Sequence, residues 1–209
     1  MRSSPLTTQD SLTFDDYFEL NVDIEELLTH FGYTFQSVQM TLPRSDTSVH
    51  WYPELRERIQ AGLPYISLTS EAARREFLIA PIFLDLARYN QIKVKVEFPI
   101  EVSNQLKGTI DYFIQSEYEF LVVEAKNADL QRGFTQLAAE MVAVDHWTDE
   151  QRSSLYGAVS IGNVWQFSFL DRENKQFTQD LNLYRVPADL HELLQILLAI
   201  LEPGAIAQT

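Results

Sequence analysis

The sequence predicts an α/β domain whose central mixed sheet carries helices on its faces. Three observations lead there: three strand-like runs follow one another between residues 92 and 126, helical patterns at 70–90 and 129–147 bracket them, and further strand-like runs precede a last helix. The order is helix, strand, strand, strand, helix, strand. With 209 residues, 45% hydrophobic and 12% aromatic, the chain can fill one core, and neither an internal repeat nor a Pro/Gly-rich linker divides it. One domain over 1–209 is expected: an N-terminal helical extension (1–69) packed on a core (70–186), and a C-terminal helix (187–209).

In the extension, Asn21 can cap a helix through Phe31 that Gly32 ends, and Pro53 can open another through Ala61 that Gly62 ends. Between them, Tyr33 to Leu42 reads as a strand of imperfect alternation. Ser70 can cap a long helix carrying Phe77, Leu78, Ile82, Leu84 and Leu86, and Pro81 should bend it by removing a backbone donor. Ile92 to Ile100 alternates Val94, Val96 and Phe98 against Lys93, Lys95 and Glu97, the period of a half-buried strand. Lys107 to Gln115 is the next strand. Phe120 to Lys126 is the third, and its Phe-Leu-Val-Val opening suits a central strand covered on both faces. Asp129 can cap a helix to about Trp147 whose apolar face holds Phe134, Leu137, Ala138, Met141 and Val142. Tyr156 to Ile161 and Val164 to Leu170 form a hairpin at Gly162-Asn163, a short strand lies within Phe177 to Val186, and a helix follows Pro187.

The charge is uneven. A formal net charge of -14 weighs against broad nucleic-acid binding, because phosphate contacts need Lys and Arg to release counterions. Residues 1–69 and 137–209 each hold 10 acidic and 4 basic side chains, whereas residues 70–136 hold 10 and 8, so the excess lies mostly outside the middle segment. The lack of cysteine removes disulfides and thiolate metal sites and fits a cytoplasmic protein. Neither a secretory signal nor an apolar run of the roughly 20 residues a membrane span needs is visible.

The middle segment holds the candidate chemistry. Glu124 and Lys126 are two apart on one strand and leave the same face, with Ala125 pointing the other way. An antiparallel hairpin would bring Asp111 of the preceding strand beside Glu124. Two carboxylates and the Ala125 carbonyl could then hold Mg²⁺ or Mn²⁺ with water in the remaining positions, and Lys126 would orient or deprotonate an attacking water. Alone, a Glu-x-Lys is more often a solvated salt-bridging face; the combination carries the reading.

That combination resembles the PD-(D/E)XK, or restriction-endonuclease-like, nucleases, most closely the nuclease domains at the N-termini of type I restriction motor subunits and their stand-alone relatives. Glu71-Ala-Ala-Arg-Arg-Glu-Phe-Leu-Ile-Ala-Pro-Ile resembles their first helix. Gly108-Thr-Ile-Asp111 resembles the first metal motif, with Ile110 where the family usually has Pro; Glu124-Ala-Lys126 matches the second; Gln136-Leu-Ala-Ala-Glu140 resembles the glutamine motif, with Glu140 where many relatives carry Tyr. The resemblance spans about residues 70–170. It implies a restriction-endonuclease-like core and a magnesium-dependent DNA endonuclease, a hydrolase with Asp111, Glu124 and the Ala125 carbonyl on the metal, Lys126 activating water, Gln136 placing substrate or the lysine, and Glu71 near the metal. Glu76 rivals Glu71, since five residues apart on a helix turn about 140° and one of the two can face the site.

His30, His50, His146 and His191 are too dispersed for a metal cluster. A nuclease should also show a cationic strip, for which Lys93, Lys95, Lys107 and Arg132 are candidates. The low pI supports another reading, a catalytically silent subunit of the same fold that works as a protein-binding or assembly module. A basic protein partner would reconcile the two, and a homodimer would allow both strands of DNA to be cut.

Overall fold

The computed structural model describes residues 11–20, 22–116, 120–125, 129–148 and 154–202. Among them eight strands form one mixed sheet: β1 (Thr34–Val38), β2 (Lys93–Ser103), β3 (Leu106–Gln115), β4 (Phe120–Ala125), β5 (Ser154–Ser160), β6 (Val164–Asp171), β7 (Gln176–Asp180) and β8 (Tyr184–Arg185). The spatial order is β1-β7-β6-β5-β4-β3-β2, with β8 on β6; β1 with β7 and β4 with β5 are parallel, the other pairs antiparallel.

Helices cover both faces. On one lie α3 (Tyr52–Gly62), the long helix built from α4 (Glu71–Arg74), a π-helical turn (Arg75–Ile79) and α5 (Ala80–Asn90), and α7 (Leu190–Leu201); their Leu55, Ile59, Leu78, Ile82, Leu193 and Leu197 meet Tyr112, Ile114, Leu121 and Val123 of the sheet. On the other lie α1 (Phe14–Glu19), α2 (Ile24–His30) and α6 (Leu130–Trp147), where Phe14, Tyr17, Leu27, Phe134 and Leu137 meet Ile110, Phe113, Val122 and Val159. The β4 strand therefore buries both sides, as its apolar run predicts. Each fully buried Leu, Ile or Phe contributes about 1.5–3 kcal/mol, and this two-sided burial sets the register of the central strands.

Local chemistry explains the helix ends. Ser70 Oγ accepts the Ala73 N–H at 3.1 Å, and Asp129 Oδ1 accepts that of Arg132 at 3.1 Å, both as the sequence suggests. The second helix is capped by Asp23, which takes the N–H groups of Glu25 and Glu26, and starts later than expected; Asn21 lies outside the described residues. Pro81 does not simply bend its helix. It cannot donate to the preceding turn, and just before it the Ala80 N–H reaches the Arg75 carbonyl, five residues back, which widens the helix into a π turn.

Three further differences have physical causes. The α1 helix has only six residues, too few for a periodic signal, and is fixed by tertiary contacts. The expected strand 33–42 shortens to Thr34–Val38, because Met40 N–H goes to the Asp180 carboxylate rather than to a strand neighbour. The stretch 177–186 splits into β7 and β8 where Asp180 Oδ1 accepts the N–H of Asn182 at 3.0 Å. No described helix is long and apolar enough to cross a membrane.

Candidate active site

The site grows from a fork between β3 and β4. Their pairing ends at Tyr112 opposite Val123, so Asp111 and Glu124 are the next residues on the two strands. Asp111 Oδ2 accepts the Ala125 N–H at 2.9 Å, taking the place of a strand carbonyl. Beyond the fork β4 stays paired with β5, Glu124 opposite Val159 and Ala125 opposite Ser160. The β2–β3 ribbon changes phase at this level: Ile110 faces α6 while Tyr112 faces the other layer, and Glu97, between the partners of Ile110 and Tyr112, has φ +50°. Such a backbone is uncommon in a residue with a side chain and points to a local constraint.

Glu124 is 1% exposed and faces α6, whereas Ala125 joins the opposite core layer, as the two-residue period requires. Against Glu124 the α6 helix presents Gln136 and, one turn on, Glu140, at 1% and 0% exposure. The helix can approach this closely because β5 has Gly157 beneath it; a Cβ there would overlap Met141 Sδ. Gln136 Nε2 donates to Glu140 Oε1 at 3.0 Å and to Asp15 Oδ1 of α1 at 3.3 Å.

Glu140 titrates well above the usual carboxyl range. Burial is the largest cause, followed by the negative charge of Glu124 and a hydrogen bond with it; the Gln136 amide opposes the shift and Asp111 adds to it. As a carboxylate Glu140 would have an Oε2 that receives no hydrogen bond, whereas the protonated carboxyl can donate to Glu124. Both effects favour the protonated form of Glu140.

The helix side chain that meets Asp111 is Arg75. Its Nη1 lies 3.1 Å from Asp111 Oδ1 and its Nη2 3.5 Å from Glu97 Oε1, with a further hydrogen bond to Tyr112. Arg74 points elsewhere, donating to the carbonyls of Leu68 and Ile161. Glu71 occupies the first turn of α4 and is half-buried, while Glu76 is exposed beside Tyr112, on the rim of an apolar groove of about 630 Å³ walled by Phe83, Leu84, Val94 and Val96. Lys126 lies outside the described residues. The sequence pattern points to Asp111, Glu124, Ala125 and Gln136, which the fold brings together, but not to Arg75, Glu140 and Asp15. Glu140 was within reach of it, being four residues after Gln136 on one helical face.

The four candidate cations do not form a strip. Lys93 and Lys107 oppose Gln115 and Glu101 at the two ends of the β2–β3 ribbon, about 26 Å apart at the usual strand rise. Lys95 lies over the rings of Phe98 and Phe113, Lys107 donates to Ser11, and Arg132 pairs with Asp129. The histidines stay apart, His30 on Gln105, His50 on Tyr89, His146 near Tyr33 and His191 on Tyr52. Among the described residues no group of three or more His, Cys, Asp or Glu side chains could hold a metal ion, so a cation here would rest on two carboxylates, a backbone carbonyl and water. No family model matches the chain, and no curated protein matches it.

Proposed function

We propose that the protein is a metal-dependent nuclease of the PD-(D/E)XK kind, acting on DNA and using Mg²⁺ or Mn²⁺. The observation that carries this reading is the fork itself: two carboxylates, Asp111 and Glu124, where the pairing of two neighbouring strands ends, with Asp111 tied to the Ala125 backbone at 2.9 Å.

The donors fit a hard divalent cation. All are oxygens, and Glu124 lies against a second buried carboxyl, Glu140, whose pKa burial and the Glu124 charge push up, so that negative charge is concentrated at the site. When bound, the cation would polarise the phosphodiester and lower the pKa of a coordinated water. Asp111, Glu124 and the Ala125 carbonyl would hold it. Gln136, anchored to Glu140 and Asp15, keeps an amide at the floor of the site and orients the Glu140 carboxyl toward Glu124. Lys126 retains the role its place in the motif implies, taking a proton from the attacking water. Glu71 retains a supporting one.

The test is cleavage of supercoiled plasmid, single-stranded DNA and RNA with Mg²⁺ or Mn²⁺, comparing wild type with Lys126→Ala and Glu124→Gln. Metal-dependent nicking or digestion absent from both variants supports the reading and identifies the substrate class. Metal bound without cleavage, or neither, would leave the second reading, a silent nuclease-fold subunit that works through a partner. One observation favours that alternative: Asp111 already has a cation, Arg75, at 3.1 Å.

A further inference from the structure

Both oxygens of Asp111 are engaged, Oδ2 by the Ala125 N–H and Oδ1 by Arg75. A divalent cation bound through Oδ1 would compete there with Nη1 of Arg75, and the repulsion of their like charges favours displacing the guanidinium. The guanidinium need not leave the site when this happens. Its other nitrogen stays with Glu97 at 3.5 Å, its hydrogen bond to Tyr112 and the Tyr112 ring at 5.6 Å hold its plane, and the π turn fixes where its stem begins. We propose that Arg75 is the phosphate ligand of this site: it holds Asp111 while the site is at rest and, when a metal takes Asp111, turns its freed N–H groups to a non-bridging oxygen of the scissile phosphate. The inference rests on the nuclease reading.

Charge and geometry favour this use. The substrate is an anion approaching a chain of net charge -14, and the groups beside Asp111 include the carboxylates of Glu97 and Glu124. Among the described residues Arg75 is the cation in contact with Asp111. A planar guanidinium presents paired donors that match a phosphate, which an ammonium cannot do. Arg75 is 21% exposed, so it is largely desolvated yet still reachable. Glu97, whose backbone is unusual at φ +50°, brings a second carboxylate within reach of the same guanidinium. Two anchors for one arginine allow it to release one without losing position.

Calorimetric Mn²⁺ binding and single-turnover cleavage at saturating Mn²⁺ test this in wild type, Arg75→Ala and Arg75→Lys, with circular dichroism confirming that each variant folds. Arg75→Ala should bind Mn²⁺ about tenfold more tightly, because its competitor at Asp111 is gone. It should also cleave about a hundredfold more slowly, with part of the rate restored by added guanidinium at low concentration. Arg75→Lys keeps the charge but not the paired donors, so its Mn²⁺ affinity should stay near wild type while its rate falls. Unchanged Mn²⁺ affinity in Arg75→Ala, or tighter binding with an undiminished rate, overturns the proposal. A wild-type protein that neither binds Mn²⁺ nor cleaves overturns the nuclease reading as well, and is told apart by failing before any variant is compared.

Discussion

Replacing Glu140 by glutamine should stabilise the metal-free protein at neutral pH. Glu140 is fully buried and, in the folded state, keeps its proton well above its ordinary pKa of 4.5. Once the pH exceeds that value the unfolded chain has lost the proton that the folded chain retains. The folded state then binds more protons, and stability falls as pH rises, by up to about 1.4 kcal/mol per pH unit, until the folded group ionises too. Glutamine escapes this loss with little change in volume: its amide can donate to Glu124 where the carboxyl proton did, and its oxygen can accept from Gln136 Nε2 as Glu140 Oε1 does at 3.0 Å. The expected gain at pH 8 is on the order of 1 kcal/mol or more, since each pH unit over which the folded group keeps a proton that the unfolded chain has lost costs about 1.4 kcal/mol. For a chain of 209 residues each kcal/mol moves the melting temperature by about 2–4 °C. Thermal melts in EDTA from pH 4.5 to 8 should show the two proteins nearly equal at the acid end and the variant higher at pH 8. A variant equal to or below wild type at pH 8 would refute the raised pKa of Glu140.

Gly108→Ala should release α1 from the sheet. Gly108 has φ +147°, and a Cβ would lie 2.7 Å from Phe14 Cδ2, so a loss of about 2–4 kcal/mol is expected from strain and displaced packing, read in urea melts and as faster proteolysis within residues 11–20. Arg172→Met should cost about 3–5 kcal/mol in thermal or urea unfolding, because it strands Asp145, 11% exposed, which Arg172 meets at 2.5 Å and Tyr33 also contacts. Adding Mn²⁺ should raise the melting temperature of wild type and do so less in Glu124→Gln, measured by calorimetric scans at fixed pH.

The core of the fold was legible because its signals are local. The capping side chains Ser70 and Asp129, the unbroken apolar run before Glu124 and the two-residue period of β2 each need only a short window of sequence. The pairing of Asp111 with Glu124 followed from one hairpin. What stayed hidden depends on distant docking: Asp15 meets Gln136 across 121 positions, and nothing near Asp15 announces it. Arg75 sat inside the first-helix motif, but its turn toward Asp111 follows from a π turn ahead of Pro81, and helical spacing alone assumes a regular repeat. The cationic strip failed for a related reason, since residues close in sequence on a hairpin ribbon can end at its opposite ends.

The parallel pairing of β1 with β7 sets a timetable for synthesis. Gln36 finds Gln176 140 positions later, so on a ribosome adding about 5–20 residues per second β1 has no strand to join for about 7–28 s. The helices α1 and α2, which rest on α6, wait nearly as long. For that interval the apolar faces of Phe14, Tyr17, Leu27 and Leu28 are available to chaperones, and the edge of the sheet that β1 will occupy does not yet exist.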